Sequence, residues 1–206
     1  MTSIRARIFG KLPFRKALFS AMRAFGRPDF YKRLYFDGPF EIAIDDNRAF
    51  KMYQNNRYGI ETELFWRGLD DAWEVASLGV WIKLCQNAEV ILDIGAAEGL
   101  YALVANALRP DSVIIAFEPV PSSARELRRN VVINEAAVEC FEAAVADFEG
   151  KASFIQPTSA FQRGPSGYGQ YELLCRNFGG GNDGREGLSH QESGTDRSRK
   201  NRRGGC

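Results

Sequence analysis

One short run near the middle of the chain combines residue types suited to chemistry: Leu92-Asp93-Ile94-Gly95-Ala96-Ala97-Glu98-Gly99. An acid stands in an apolar segment, small residues follow, and a helical pattern opens at once. Gly95 has no side chain, so a ligand can approach the backbone closely. The helix start beyond it offers free N–H groups and the positive end of a dipole. A second acid, Glu118, lies 23 residues after Gly95 at the end of the next apolar run, Ala116-Phe117-Glu118-Pro119. A carboxylate there can accept hydrogen bonds from both hydroxyls of a ribose. Together the two segments describe a site for a nucleoside with a free 2′-hydroxyl, beyond the carboxyl ends of adjacent strands of an open α/β sheet.

The spacing separates two kinds of nucleoside. Dinucleotide sites use G-x-G-x-x-G to bring backbone against a pyrophosphate. This chain has Asp93-x-Gly95-x-x-x-Gly99 instead. An acid at that position repels a pyrophosphate and suits the cationic amino and sulfonium groups of S-adenosylmethionine. Electrostatics favour the methyl donor, with a dehydrogenase or another α/β protein as alternatives. Asp93 as a turn cap and Glu98 as a first-turn helix acid are the structural readings of the same residues.

The elements that must hold this site follow from periodicity. Val90–Ile94 and Val113–Phe117 are continuous apolar runs, read as parallel strands covered on both faces. Glu98 to Leu108 reads as a helix with Leu100, Leu103, Val104 and Ala107 on one face, ended by Pro110. Ser123 to Ile133 reads as a second helix, with Ser123 and Glu126 spaced as a capping box. Val138–Ala144 reads as a third strand and Lys151–Ile155 as a fourth, short one. Strands alternating with helices of this length indicate a parallel sheet of the Rossmann-like α/β class.

Upstream, residues 34–88 read as an α+β lead-in. Asp37-Gly38-Pro39 is a turn signal between Leu34–Phe36 and Phe40–Ile44, and Phe50–Tyr53 is a further strand. Glu61–Trp66 and Asp71–Cys85 read as helices, the latter with Trp73, Ala76, Val80 and Leu84 on one face. Residues 1–33 hold nine Lys and Arg against one acid, Asp29, among scattered apolar residues. They read as short amphipathic helices that cap the domain, with weak membrane-surface contact as the functional alternative. The proposed divisions are 1–33, 34–88, the cofactor-binding half domain 89–156, and a tail 157–206.

Composition bounds the rest. The 206 residues are 45% hydrophobic with a net charge of +1, which fits a soluble globular chain and argues for no nucleic-acid partner. Cys85, Cys140, Cys175 and Cys206 form no C-x-x-C pair, and His190 is the only histidine, so neither a zinc site nor a disulfide framework is expected. No run approaches the roughly 18 apolar residues of a membrane span, and no secretory leader is evident. Together these features point to the cytoplasm.

The site segments are similar to the FkbM-like family of S-adenosylmethionine-dependent methyltransferases. The resemblance rests on Val90 to Ala96 with Gly99-Leu100-Tyr101, then on Ala116 to Pro119 with Pro121. Leu127, Asn130, Asn134, Ala144-Val145 and Gly150 extend it, as do Phe65-Trp66, Gly68 and Trp73-Glu74 upstream. It implies that Asp93 and Gly95 flank the methionine moiety of S-adenosylmethionine, that Glu118 holds the ribose, and that Pro119 and Val120 border the adenine. Ala96, Glu98 and Gly99 complete the candidate cofactor-binding set. It further implies methylation of a hydroxyl oxygen on a sugar or another small-molecule acceptor. No catalytic base is identified, and Tyr101 and Glu74 are read as packing residues.

After Ile155 the resemblance ends. The Gly- and Ser-rich stretch to Cys206 is read as disordered, as an extension or an out-of-frame segment, with His190 inside it. The Rossmann-like sheet is therefore expected to be incomplete: three parallel strands, the first an exposed edge. Weak catalysis is expected in consequence, and a catalytically inactive remnant or a nucleoside-binding or membrane-surface protein is the alternative function.

Overall fold

The computed structural model describes residues 14–56, 59–69, 75–157 and 168–177. Helix α1 (Arg15–Ala24) and a 3-10 turn at Tyr31–Arg33 lead into a hairpin, β1 (Asp37–Ala43) and β2 (Ala49–Asn55). Helices α2 (Ile60–Arg67) and α3 (Val75–Cys85) follow. Then come β3 (Val90–Ile94), α4 (Leu100–Leu108), β4 (Val113–Phe117), α5 (Pro121–Ile133) and β5 (Val138–Phe141). The described chain ends with β6 (Ala144–Val145), β7 (Gly150–Pro157) and β8 (Tyr168–Arg176).

The central sheet has the order β3-β4-β5 and is parallel throughout. Its register sets Val90 opposite Val113 and Ile94 opposite Phe117, so the two strands end level. This is the expected α/β sheet of the Rossmann-like class, with β3 at its edge among the described residues. Ile91, Ile114 and Ala116 are buried in one core with Leu103 of α4 and Leu127 of α5.

The other face departs from expectation. Val90, Leu92 and Ile94 are 61%, 51% and 60% exposed, so cover on both faces is not observed. Within β3 the residues alternate between buried and exposed although all but Asp93 are apolar. An apolar run records what a strand suits, not what lies over it.

Several boundaries also move. Asp37-Gly38-Pro39 is not a turn but the start of β1, a strand with one partner, where Pro39 is tolerated. The hairpin turns instead at Asp45, whose carboxylate accepts the N–H groups of Asn47 (3.0 Å) and Arg48 (2.9 Å). Helix α3 buries Leu78 and Cys85, with Trp81 and Ile82 half-buried, whereas Ala76, Val80 and Leu84 are exposed. Both sets recur at three- and four-residue spacing, so periodicity alone does not choose between the faces. Trp73 and Glu74 lie outside the described residues.

The predicted capping box at Ser123 is absent. Helix α5 begins two residues earlier, with Pro121 in its first turn, Val120 as N-cap and no side-chain cap. Glu126 pairs with Arg129 at 3.1 Å instead. The expected strand Val138–Ala144 is divided: β5 pairs with β4, while Ala144–Val145 leaves to pair with β8. Within the tail expected to lack structure, β8 pairs antiparallel with β7 from Gly150↔Cys175 to Pro157↔Tyr168, with Leu173 and Cys175 buried. His190 and Cys206 lie outside the described residues.

The lead-in is fastened to the sheet layer by Asn130 of α5 and by Asn134 at its C-cap. Asn134 accepts the Lys51 N–H and donates to the Lys51 carbonyl, both at 2.7 Å. Asn130 accepts the Tyr53 N–H at 2.9 Å and donates to the Glu98 carbonyl at 2.8 Å. One side chain thus ties the hairpin to the loop after β3. The core around Phe36, Phe40, Phe65 and Trp66 is built from edge-on aromatic pairs, with Phe36 and Phe65 centroids 4.9 Å apart.

Candidate nucleoside site

The two candidate segments meet at the carboxyl ends of β3 and β4. The N–H groups of Gly95 and Ala96 both donate to the Phe117 carbonyl, at 2.8 and 3.0 Å. The Glu118 carboxylate spans the junction: Oε2 accepts the Ala97 N–H and Oε1 accepts the Val120 N–H, each at 2.8 Å. A carboxylate has about four acceptor positions, so two remain for a ligand's hydroxyls. Glu118 is buried, and its own N–H donates to the Phe141 carbonyl at 3.0 Å, which places it level with the end of β5.

The loop conformation depends on its small residues. Gly95 has φ +82°, and a Cβ built there meets nothing within 4 Å. Its backbone therefore faces open space, where a ligand can approach. Ala97 also has positive φ, at 47°, which turns its N–H toward Glu118. Gly99 has φ +92° and caps α4. A Cβ on Gly99 would lie 2.5 Å from Leu127 Cδ1, so this glycine allows close packing on α5. Glu98 precedes the helix rather than opening it, is half-buried, and offers its carbonyl to Asn130.

Asp93 is buried at the end of β3, and its Oδ2 accepts the Ala102 N–H at 2.9 Å in the first turn of α4. Burial pushes its carboxyl up to about 6, the nearby Glu118 carboxylate adds to the rise, and the Ala102 hydrogen bond opposes it. Among the described residues no cation is among the groups that set this value. The cap reading of Asp93 is thus observed for one oxygen, which holds the helix start, and Glu118 makes the setting acidic.

The remaining candidates sort by position. Ala96 and Val120 are buried and Pro119 is half-buried, all within the junction. Tyr101 is a packing residue, as read: its ring meets Trp81 edge-on at 5.4 Å, and its carbonyl accepts the Trp81 indole N–H at 2.9 Å. The roles of Ala97 and Asn130 were not foreseen. The positive φ of a non-glycine residue has no sequence signal, whereas Asn130 stood among the residues of the family resemblance. Burial raises the Cys85 and Cys140 thiols, the latter to about 11, so neither supplies a thiolate at neutral pH. Among the described residues no cluster of metal-ligating side chains occurs, and no helix is long and apolar enough to cross a membrane.

No protein-family model and no curated protein matches the chain. Among solved structures it is similar to precorrin-6y C5,15-methyltransferase from Geobacter metallireducens GS-15, with 28% identity over 37% of this chain and 41% of that chain, TM-score 0.32. It is also similar to a SAM-dependent methyltransferase from Agrobacterium tumefaciens, with 10% identity over 53% and 33% of the two chains, TM-score 0.37. A third is TYW2 of P. horikoshii in complex with MeSAdo, with 16% identity over 56% and 40%, TM-score 0.33. The matched part spans less than half the length of each of these structures. The likeness is too partial to carry an activity over.

Proposed function

We propose that this chain binds S-adenosylmethionine at the junction of β3 and β4 and belongs to the FkbM-like methyltransferases, which act on a hydroxyl of a sugar or another small molecule. The observation that carries the reading is the Glu118 carboxylate, clamped at 2.8 Å by the N–H groups of Ala97 and Val120 beside the open backbone of Gly95. A buried acid in that position, with acceptor capacity to spare, fits a ribose diol. The residues present also fit the cationic end of the cofactor. Asp93 and Glu118 give the junction acidic character, and Gly95 leaves room for approach to the backbone.

When bound, S-adenosylmethionine supplies a methyl group activated by its positively charged sulfur. The chain's own contribution is binding and orientation: Glu118 would hold the ribose, Asp93 and Gly95 the methionine moiety, and Pro119 and Val120 the edge of the adenine. Such positioning accounts for most of what a methyl transfer asks of a protein. Incubation with donor labelled in the methyl group and a pool of hydroxylated small molecules tests the activity. Label in an alcohol acceptor supports the reading, and label confined to the donor despite tight binding removes the catalytic half of it.

A second reading, cofactor binding without transfer, draws on one observation. β3 pairs with β4 alone and its outward side chains are open, so among the described residues the pocket is built from one flank.

A further inference from the structure

The loop after β3 is pinned on its strand side and on its helix side. On the strand side the N–H groups of Gly95 and Ala96 reach the Phe117 carbonyl, and the Ala97 N–H reaches Glu118 Oε2. On the helix side the held group is the peptide between Glu98 and Gly99. Its N–H donates to the Ala96 carbonyl at 2.7 Å, and its carbonyl accepts from Asn130 Nδ2 at 2.8 Å. The loop needs such holding. Gly95, Ala97 and Gly99 all have positive φ, and an alanine keeps that conformation only where its surroundings enforce it.

Asn130 sits where a helix usually carries an apolar residue. Ala124, Leu127 and Asn130 form the buried stripe of α5, and Asn130 is 1% exposed. Burying an amide costs stability unless its polar atoms find partners. The partners dictate the residue type. Tyr53 presents an N–H, 2.9 Å from Oδ1, and Glu98 presents a carbonyl. Asparagine offers one acceptor and one donor end, whereas a carboxylate would set oxygen against the Glu98 carbonyl. Three residues earlier Leu127 lies against Gly99, so the stripe meets the same peptide twice. Asn134 provides a contrast. It holds the same hairpin through both backbone groups of Lys51, but its remaining bond goes to the Asn130 carbonyl and not to the loop.

We infer that Asn130 is a positioning residue for cofactor binding. It fixes the loop in the shape that keeps the Gly95 backbone open and the Ala97 N–H on Glu118, and the hairpin is its anchor. The inference rests on the reading of the junction as an S-adenosylmethionine site. Without the Asn130 bond the Glu98–Gly99 peptide loses its tie to α5. Ala97 then relaxes from positive φ, and Glu118 Oε2 loses the N–H that aims it. The ligand has to select the competent loop from a mixture, and its apparent affinity falls by the fraction that remains competent.

Calorimetry with S-adenosylhomocysteine on the full chain tests it. Asn130→Ala should bind about fivefold more weakly than the wild type, the factor that one net hydrogen bond is worth. Asn134→Ala should bind within about twofold of the wild type, although both variants lose hydrogen bonds and should melt at lower temperature. A merely structural strut would lower the melting temperature and leave the affinity in place. A second measurement needs no substitution. Titration of the wild type with the same ligand should shift the side-chain amide resonance of Asn130 and the backbone amide of Ala97, with the Asn134 side chain unmoved. Unchanged affinity in folded Asn130→Ala, an equal loss in Asn134→Ala, or an Asn130 resonance that ignores the bound ligand would overturn the inference. No binding by folded wild-type protein would remove the nucleoside reading itself, and this inference with it.

Discussion

Replacing Asp93 by Asn should stabilise the unliganded protein at neutral pH and remove its affinity for a cationic cofactor. Asp93 ionises near 6 in the fold against 3.8 in an open chain, chiefly because it is buried. Each tenfold change in proton affinity corresponds to about 1.4 kcal/mol, so keeping this carboxylate ionised costs the fold roughly 3 kcal/mol. The sign follows from proton binding. Between 3.8 and about 6 the folded state holds more protons than the unfolded state at this group, so its contribution to stability falls as pH rises through that window. The full cost is present above the window and absent below it. Asparagine is neutral throughout and still offers an oxygen to the Ala102 N–H, with a bond weaker by about 1 kcal/mol. At neutral pH the variant should therefore be more stable by roughly 2 kcal/mol. Urea denaturation of both proteins across the acid range measures this directly, because their difference cancels the other carboxylates. A wild type more stable than the variant at neutral pH, with no difference in slope through the window, would refute the reasoning about burial.

Other perturbations report on the junction and the sheet. Glu118→Gln leaves one of the Ala97 and Val120 N–H groups without an acceptor, so denaturation should show a loss of about 1–3 kcal/mol and calorimetry at least a tenfold loss of cofactor affinity. Gly99→Ala combines positive φ with a Cβ 2.5 Å from Leu127 Cδ1 and should cost about 3 kcal/mol in denaturant. Combining it with Leu127→Ala should be less than additive, because the two changes share one contact. Ile91→Ala in the core should cost about 2–4 kcal/mol, and Leu92→Ala on the open face less than about 1 kcal/mol. Equal costs for these neighbours would mean that the outward face of β3 is covered in solution.

The site was more legible in the sequence than the surroundings that hold it. Asp93, Gly95 and Glu118 stand out in the sequence because a nucleoside pocket would call for those residue types at the ends of two adjacent strands, and the level register of β3 and β4 brings the three positions together. The clamp that unites them was not legible, since it uses the backbone N–H groups of Ala97 and Val120, and any residue but proline can supply one. Helix faces were ambiguous where a helix is apolar all round, as in α3, and Pro121 rather than a polar cap set the start of α5. The open face of β3 was invisible for a different reason: Val90, Leu92 and Ile94 suit a buried strand whether or not anything lies over them. Strand β8 was missed because β7 and β8 pair across an intervening segment whose composition is that of a tail.

Calorimetric titration with S-adenosylhomocysteine and with NAD, side by side at neutral pH, puts the central claim to its most direct test. Saturable binding of the first at one site per chain, at least tenfold weaker in Glu118→Gln, with none of the second in either protein, is the expected result. Binding of NAD in preference, or heat from neither ligand in a folded sample, would contradict it.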